Sequence, residues 1–354
     1  MEKNKCRVTT KGLALFIGVL LASCVSSNNS NTPNDSQQTE PAKALFLAKI
    51  GNSYGFINKD KQLVVKPQFD YAKDFSEGLA LVTVGENCGF INDTGAMVIQ
   101  PRFQFVSSLS EGFSEGLAAV AIANKWGFID KNGNFAINPQ FSMAYKFSEG
   151  LAMVTPEEGG FGFIDHNGNM VIDAQFDGAN YFAEGLSCVS INEKYGFIDK
   201  SGQFVINPQY DGASSFSEGL AAVKVGDKWG YIDKNGKIVI KPQFDIAWDF
   251  SEGMAGIEIN DDWGFIDKSG TIIIVPQFVS VSGFSEGLAR VAIGKGYSNW
   301  KWGFVNKNGK YVVNPIYKFA SDFKNGWALV QTDEYLDYID KTGKSVLIDD
   351  NTEK

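Results

Sequence analysis

From Tyr54 onward, apolar and polar positions fall into one phrase, close to FxxFSEGLAxVxxxxKWGFIDKNGxxVIxPQFD, repeated to the end of the chain. Most neighbouring copies lie 34 residues apart. A fixed period of this size marks an array of one supersecondary unit that cannot bury its apolar face alone. Three strands fit each copy. In the leading strand, Ala221, Val223 and Val225 alternate with Ala222 and Lys224, and Ala80, Val82 and Val84 with Leu81 and Thr83. This period of two predicts one buried face. The second strand carries an aromatic–glycine pair, as in Trp229-Gly230-Tyr231-Ile232-Asp233. The third is a solid apolar triplet such as Ile238-Val239-Ile240 or Ile272-Ile273-Ile274, and is expected to be covered on both faces.

The spacing between these strands is strict. Thirteen residues separate the aromatic position from the following proline position in all eight copies, for example Trp126 to Pro139. Insertions occur only elsewhere: Ser110-Glu111-Gly112-Phe113 before Ser114-Glu115-Gly116, and a stretch around Gly294 to Lys301. Segments that accept no insertion are paired structure, and those that do are surface loops. Asp-Lys-Asn-Gly at Asp130 to Gly133 and Asp233 to Gly236 predicts a type I turn closed by a left-handed glycine. Phe244 and Phe250, on either side of the link to the next unit, are expected to pack inward.

The array opens with Ala44-Leu45-Phe46-Leu47-Ala48 in the leading-strand position and closes with Val346-Leu347-Ile348, which makes nine units over residues 43–348. The end units are degenerate, with Lys61 where the turn glycine belongs and Leu336-Asp337 where Trp-Gly belongs. Such ends suit the caps of an array with exposed termini. The fold class expected is therefore all-β, tandem three-stranded antiparallel units in an open superhelical solenoid, with a closed β-propeller as the alternative.

Ahead of the array stands a different kind of sequence. Lys3, Lys5, Arg7 and Lys11 precede the apolar run Gly12 to Ala22. That run is short of the ~20 residues a spanning helix needs, and reads as a secretory signal over residues 1–23. Leu21-Ala22-Ser23-Cys24 resembles the lipobox of bacterial lipoproteins, which implies lipid attachment at Cys24. Residues 24–42, mostly Ser, Asn, Thr, Gln and Pro, read as a flexible tether, and 349–354 as a tail. Loss of the leader removes four basic side chains and Glu2, taking formal charge from −9 to −12. An acidic body argues against nucleic acid as a partner.

The combination of Trp-Gly-Phe-Ile-Asp, turn glycine, Pro-Gln-Phe-Asp and Ser-Glu-Gly-Leu-Ala resembles the WG-repeat family, also called KWG repeats, of bacterial proteins. The pairs Trp126-Gly127, Trp229-Gly230, Trp263-Gly264 and Trp302-Gly303 carry the signature, and Cys88, Ala174 and Asn325 are single departures. The resemblance implies an all-β module frequent in envelope proteins. It supplies no functional residues.

Candidate chemistry is sparse. The glutamates of Ser-Glu-Gly, at positions 77, 115, 149, 184, 218, 252 and 286, recur too regularly to be catalytic and read as turn residues. The single histidine, His166, sits in a turn position filled elsewhere by Lys. No nucleophile elbow or phosphate loop appears, and neither cofactor nor metal site is expected. Cys88 and Cys188 occupy non-equivalent positions three units apart, which disfavours a disulfide. Aromatics outside the repeat are the better recognition candidates: Tyr145, Tyr181, Trp248, Tyr297, Trp300 and Trp327. The expectation is a non-enzymatic, lipid-anchored binding module of the bacterial cell envelope, on the outer membrane or cell surface where two membranes exist. Its partner would be an envelope protein or glycan. The alternatives are a carbohydrate-active hydrolase with groove carboxylates and a purely structural spacer.

Overall fold

The computed structural model describes residues 44–106, 110–296, 299–333 and 336–346, and these contain strands and turns with no α-helix. The leader, Cys24, the tether, Tyr297 and the tail lie outside the described residues. Each unit is a small antiparallel sheet. In the sixth unit the order is Gly212–Ala213, Leu220–Val225, Lys228–Asp233 and Ile238–Phe244. The last three are the expected leading, motif and trailing strands. The first is a fourth, link strand, whose two residues are too few to show a period. Five units form separate four-stranded sheets, the end units are three-stranded, and the second and third join through Gln104 and Ala121 into a seven-stranded sheet.

The turns are as expected. Asp233 Oδ1 accepts from the amides of Asn235 and Lys237, each at 2.9 Å, and Gly236 takes a φ of 79°. In the first unit Lys61 occupies the same left-handed conformation, at 64°. The glycine of the aromatic–glycine pair has another cause. Tyr195 faces Tyr210 and Phe197 faces Ile206, so the trailing strand bulges at Pro208. A Cβ on Gly196 would sit 2.6 Å from the Ile206 carbonyl oxygen and 2.6 Å from the Pro208 nitrogen. Only glycine lets the bulge approach, which explains the fixed thirteen-residue spacing.

Burial along the strands differs from expectation. The leading strand is covered on both faces: Leu81 and Thr83 are as buried as Ala80 and Val82. The trailing triplet is the exposed one, with Ile238 at 48%, Val239 at 44% and only Ile240 buried at 3%. The reason is position within the sheet. The trailing strand is the last in its sheet, while the leading strand lies between neighbours.

Nine hydrophobic clusters hold the units together, one at each joint. Between the sixth and seventh units, Tyr231, Ile240 and Phe244 meet Phe250, Ala255, Ile257 and Ile266. Burial of each such side chain contributes about 1.5–3 kcal/mol, so the joints carry most of the fold's stability. Nine units in a row have eight internal joints. The ninth cluster sets Phe46, Ala48 and Ile57 of the first unit against Trp327, Leu329, Leu336, Tyr338 and Val346 of the last. Phe46 stacks on Trp327 with centroids 4.2 Å apart.

No sheet closes into a barrel, and no backbone hydrogen bond joins the last unit to the first among the described residues. In its backbone pairing the array is therefore an open repeat. Its side chains carry it round until the ends meet, the propeller-like arrangement named above as the alternative. The degenerate ends, read from sequence as caps, are fitted to one another. The first unit lacks a link strand, and the hydroxyl of Tyr338 donates to the Leu47 carbonyl at 2.8 Å in its place. In the seventh unit the matching Gly256 carbonyl accepts from the amide of Trp248, just after the link strand.

Candidate functional site

The recurring carboxylates have a structural task at every copy. Glu218 takes a φ of 54°, and its carboxylate accepts from the Gly253 amide of the next unit at 2.9 Å. Lys268, also of the next unit, pairs with it at 3.1 Å and donates to the Glu218 carbonyl. The same staple recurs from Glu77 to Glu286, ending on Gly326 and Lys341. His166 takes the Lys position in one copy, 3.3 Å from Glu115 and stacked on Phe147. A second link runs from the serine of Ser-Glu-Gly to the phenylalanine carbonyl ahead, as from Ser217 to Phe250 at 2.7 Å. The turn aspartates are held low by backbone and side-chain donors, Asp130 chiefly by the Asn134 amide and Asp199 chiefly by the Ser201 hydroxyl. Cys88 and Cys188 are buried free thiols, pushed up to about 11 and about 12 by that burial.

The positions just ahead of the repeated phenylalanine do not repeat in this way. The two residues ahead of the conserved phenylalanine are Lys73 and Asp74, Glu111 and Gly112, Tyr145 and Lys146, Asn180 and Tyr181, Ser214 and Ser215, Trp248 and Asp249, Ser282 and Gly283, and Ser321 and Asp322. Their side chains form the inner rim of the ring. Lys324 of the ninth unit reaches Asp74 of the second at 2.7 Å, passing the first. Glu111 of the third bears on Tyr181 of the fifth, and Lys146 of the fourth on Lys73 of the second. In a nine-unit ring, groups two units apart reach one another only near its centre. Asp249 agrees: it is open to solvent, yet surrounding protein raises its carboxyl above the ordinary range against a hydrogen bond from Ser214. A group both wet and desolvated lies in a concavity.

Three of the aromatics singled out from sequence stand on this rim. Tyr145 and Tyr181 meet edge to face with centroids 6.2 Å apart, and the Lys146 ammonium lies 5.1 Å from the Tyr181 ring. Trp248, 38% exposed, packs edge-on against Trp263. The others lie apart. Trp327 is in the closing joint, Trp300 packs beside Trp302 at 6.1 Å, and Tyr297 is outside the described residues. Of the signature tryptophans, Trp126 and Trp263 are buried, while Trp229 and Trp302 pack partly buried against their cores.

Sequence reasoning passed over Lys73, Glu111 and Lys146. Lys146 pairs with Glu111 at 3.2 Å, and burial lowers Lys73 below the usual lysine range, Lys146 adding to the effect and Glu111 opposing it. Burial, and after it the Glu111 carboxylate, raises the Tyr181 phenol well above its ordinary value, and burial raises Tyr145. The signal available was adjacency, since these charges flank the same non-repeating aromatics. The half-buried pair of Arg290 and Asp322 is a further departure, 3.4 Å apart, with Arg290 also donating to the Ala320 carbonyl.

Comparison with known proteins places this architecture. One solved structure, titled as that of the eukaryotic initiation factor, shares the fold at TM-score 0.63 and 14% identity, covering 88% of this chain and 95% of its own. BamB from Moraxella catarrhalis matches at TM-score 0.45 and 10% identity over 76% of this chain and 95% of its own. The computationally designed Ika8 protein matches at 0.44 and 10% over 77% and 96%. No curated protein matches this chain. The model of the WG containing repeat matches eight times, at residues 54–88, 89–126, 126–155, 161–195, 195–229, 229–261, 263–297 and 302–335. With the signature in eight consecutive copies and the packing it dictates at each joint, the chain belongs to the WG-repeat family.

Proposed function

We propose that this protein is a non-enzymatic binding module, lipid-anchored in the bacterial cell envelope through Cys24, that recognises its partner with the inner rim of the ring. The observation carrying this reading is the contrast between rim and scaffold. The staples and joints repeat from unit to unit along the array, while the two positions ahead of the repeated phenylalanine run from Lys and Glu through Tyr and Trp to Ser and Gly. A scaffold needs repetition; a recognition surface needs singular groups on a rigid support. The hydrolase alternative has less support, because the seven glutamates that suggested it are each engaged by a backbone amide, six of them also by a lysine and Glu115 by His166.

The test is photo-crosslinking in the native cell. A crosslinker at Tyr181 or Trp248 should capture a discrete partner, one at Gln243 on the exposed trailing strand should not, and Cys24→Ser should reduce capture by displacing the chain from the membrane. Capture from Gln243 alone would move recognition to the outer face.

A further inference from the structure

The most singular part of the rim is the sector from the second to the fifth unit. Two ammonium groups, Lys73 and Lys146, share one carboxylate there. Lys146 is paired with Glu111 at 3.2 Å, and Lys73 has no ion-pair partner among the described residues. With Asp74 paired to Lys324 at 2.7 Å and Glu111 to Lys146, the sector is left with the positive charge of Lys73, in a chain whose formal charge is −9. Around it stand two phenols, Tyr145, whose hydroxyl meets the Met143 sulfur at 3.9 Å, and Tyr181, hydrogen-bonded with Glu111, and as phenols both are neutral donors at physiological pH. The exposed Asn180 and the Glu111 carboxylate, which holds Lys146 and Tyr181, complete the set.

We propose that this sector binds the carboxylate of an acidic sugar, a uronic-acid unit of a polysaccharide, between Lys73 and Lys146, with Tyr145, Tyr181, Asn180 and Glu111 taking up the sugar's hydroxyls. The inference rests on the binding reading above and deepens it. One net positive charge matches a monoanion better than a dianionic phosphate. Hydroxyl partners of both signs suit a sugar ring: phenols and amide donate, and the carboxylate accepts. Elsewhere on the rim Asp74 and Asp322 are paired with Lys324 and Arg290, while Asp249, with no ion-pair partner among the described residues, would repel an anionic chain.

The test uses the full chain in detergent and trigalacturonic acid as probe, titrated calorimetrically at low salt. The account expects saturable binding at one site, and at least tenfold weaker binding of the fully methyl-esterified probe. Lys73→Gln and Lys146→Gln should each weaken binding at least tenfold, and Lys66→Gln on the outer strand should leave it unchanged. Lys146→Gln strands Glu111, so Lys73→Gln, with no ion pair to break, is the variant that decides, with its melting temperature checked against wild type. Absence of binding, equal affinity for the ester, or unchanged affinity in Lys73→Gln would overturn the site. Complete displacement by equimolar inorganic phosphate would overturn the sugar class. Should the probe fail to bind while the Tyr181 crosslinker still captures a partner in cells, this inference falls and the binding module stands.

Discussion

The joint between the sixth and seventh units and the joint between the ninth and first bury equivalent faces, yet they are fastened differently. At the first, Phe244 and Tyr231 pack on Phe250 and Ile257, Ser217 reaches the Phe250 carbonyl, and Glu218 clamps Gly253 and Lys268. At the second, Phe46, Trp327 and Tyr338 supply the packing. The serine is replaced by Lys324 and the glutamate by Asn325, and the polar ties are the Tyr338 hydroxyl and the Lys324–Asp74 pair. The difference teaches that apolar packing without the staples is enough to bring the ends of the ring together, and that the polar staples add to the strength of each internal joint. Closure has been achieved by side chains alone, so the last joint is the place where the ring opens first.

The largest expected effect comes from the constraint common to all units. Gly196→Val puts a branched side chain where a Cβ already meets the Ile206 carbonyl, and is expected to unfold the fifth unit, read as loss of amide protection over residues 178–210. Next come the apolar contacts. Phe244→Ala should cost about 3–5 kcal/mol in global stability by denaturant unfolding. Phe46→Ala should cost less in that measurement while selectively raising exchange in the first and ninth units, because an unstapled joint is free to separate. Equal, ring-wide effects of the two would break the comparison.

Smaller effects sharpen it. Tyr338→Phe removes one hydrogen bond and should cost about 1 kcal/mol, with Leu336–Asp340 the segment whose exchange rises most. Glu218→Gln weakens one staple of seven by a similar amount and should behave like Glu252→Gln, with no loss of capture. Acid should act on the turns. The depressed carboxyls of Asp165, Asp199 and Asp267 favour the folded state above the ordinary carboxyl range of about 3.9. Their contribution should be lost as pH falls through their lower folded values. Asp249 runs the other way. Its raised carboxyl opposes folding as pH rises through that range, so Asp249→Asn should be neutral to slightly stabilising at pH 7.

Much of this architecture was legible in the repeat. The turn glycines, the Asp caps and the three longer strands follow from pattern and spacing, because each is a local requirement met many times. Four features were not. A two-residue link strand such as Gly212–Ala213 has no period to detect. The exposure of Ile238 and Val239 depends on which strand ends the sheet, which composition does not encode. The meeting of Phe46 with Trp327 is a contact between residues 281 positions apart, and an odd sequence at a terminus looks the same whether it faces water or its counterpart. Tyr145, Tyr181 and Trp248 stood out because they interrupt the repeat, but their convergence with Lys73, Glu111 and Lys146 arises only when the units are wound into a ring.

That winding is the central claim, and a distance measures it directly. Spin labels at Thr342 and Asp60 occupy equivalent exposed turn positions in the ninth and first units, as Asn235 and Ser269 do in the sixth and seventh. The account predicts that pulsed electron spin resonance will give the terminal pair a distance as short as the internal pair, with a broader distribution reflecting the unstapled joint. A long separation between Thr342 and Asp60, alongside the short internal one, would contradict it and show an array whose ends stay apart.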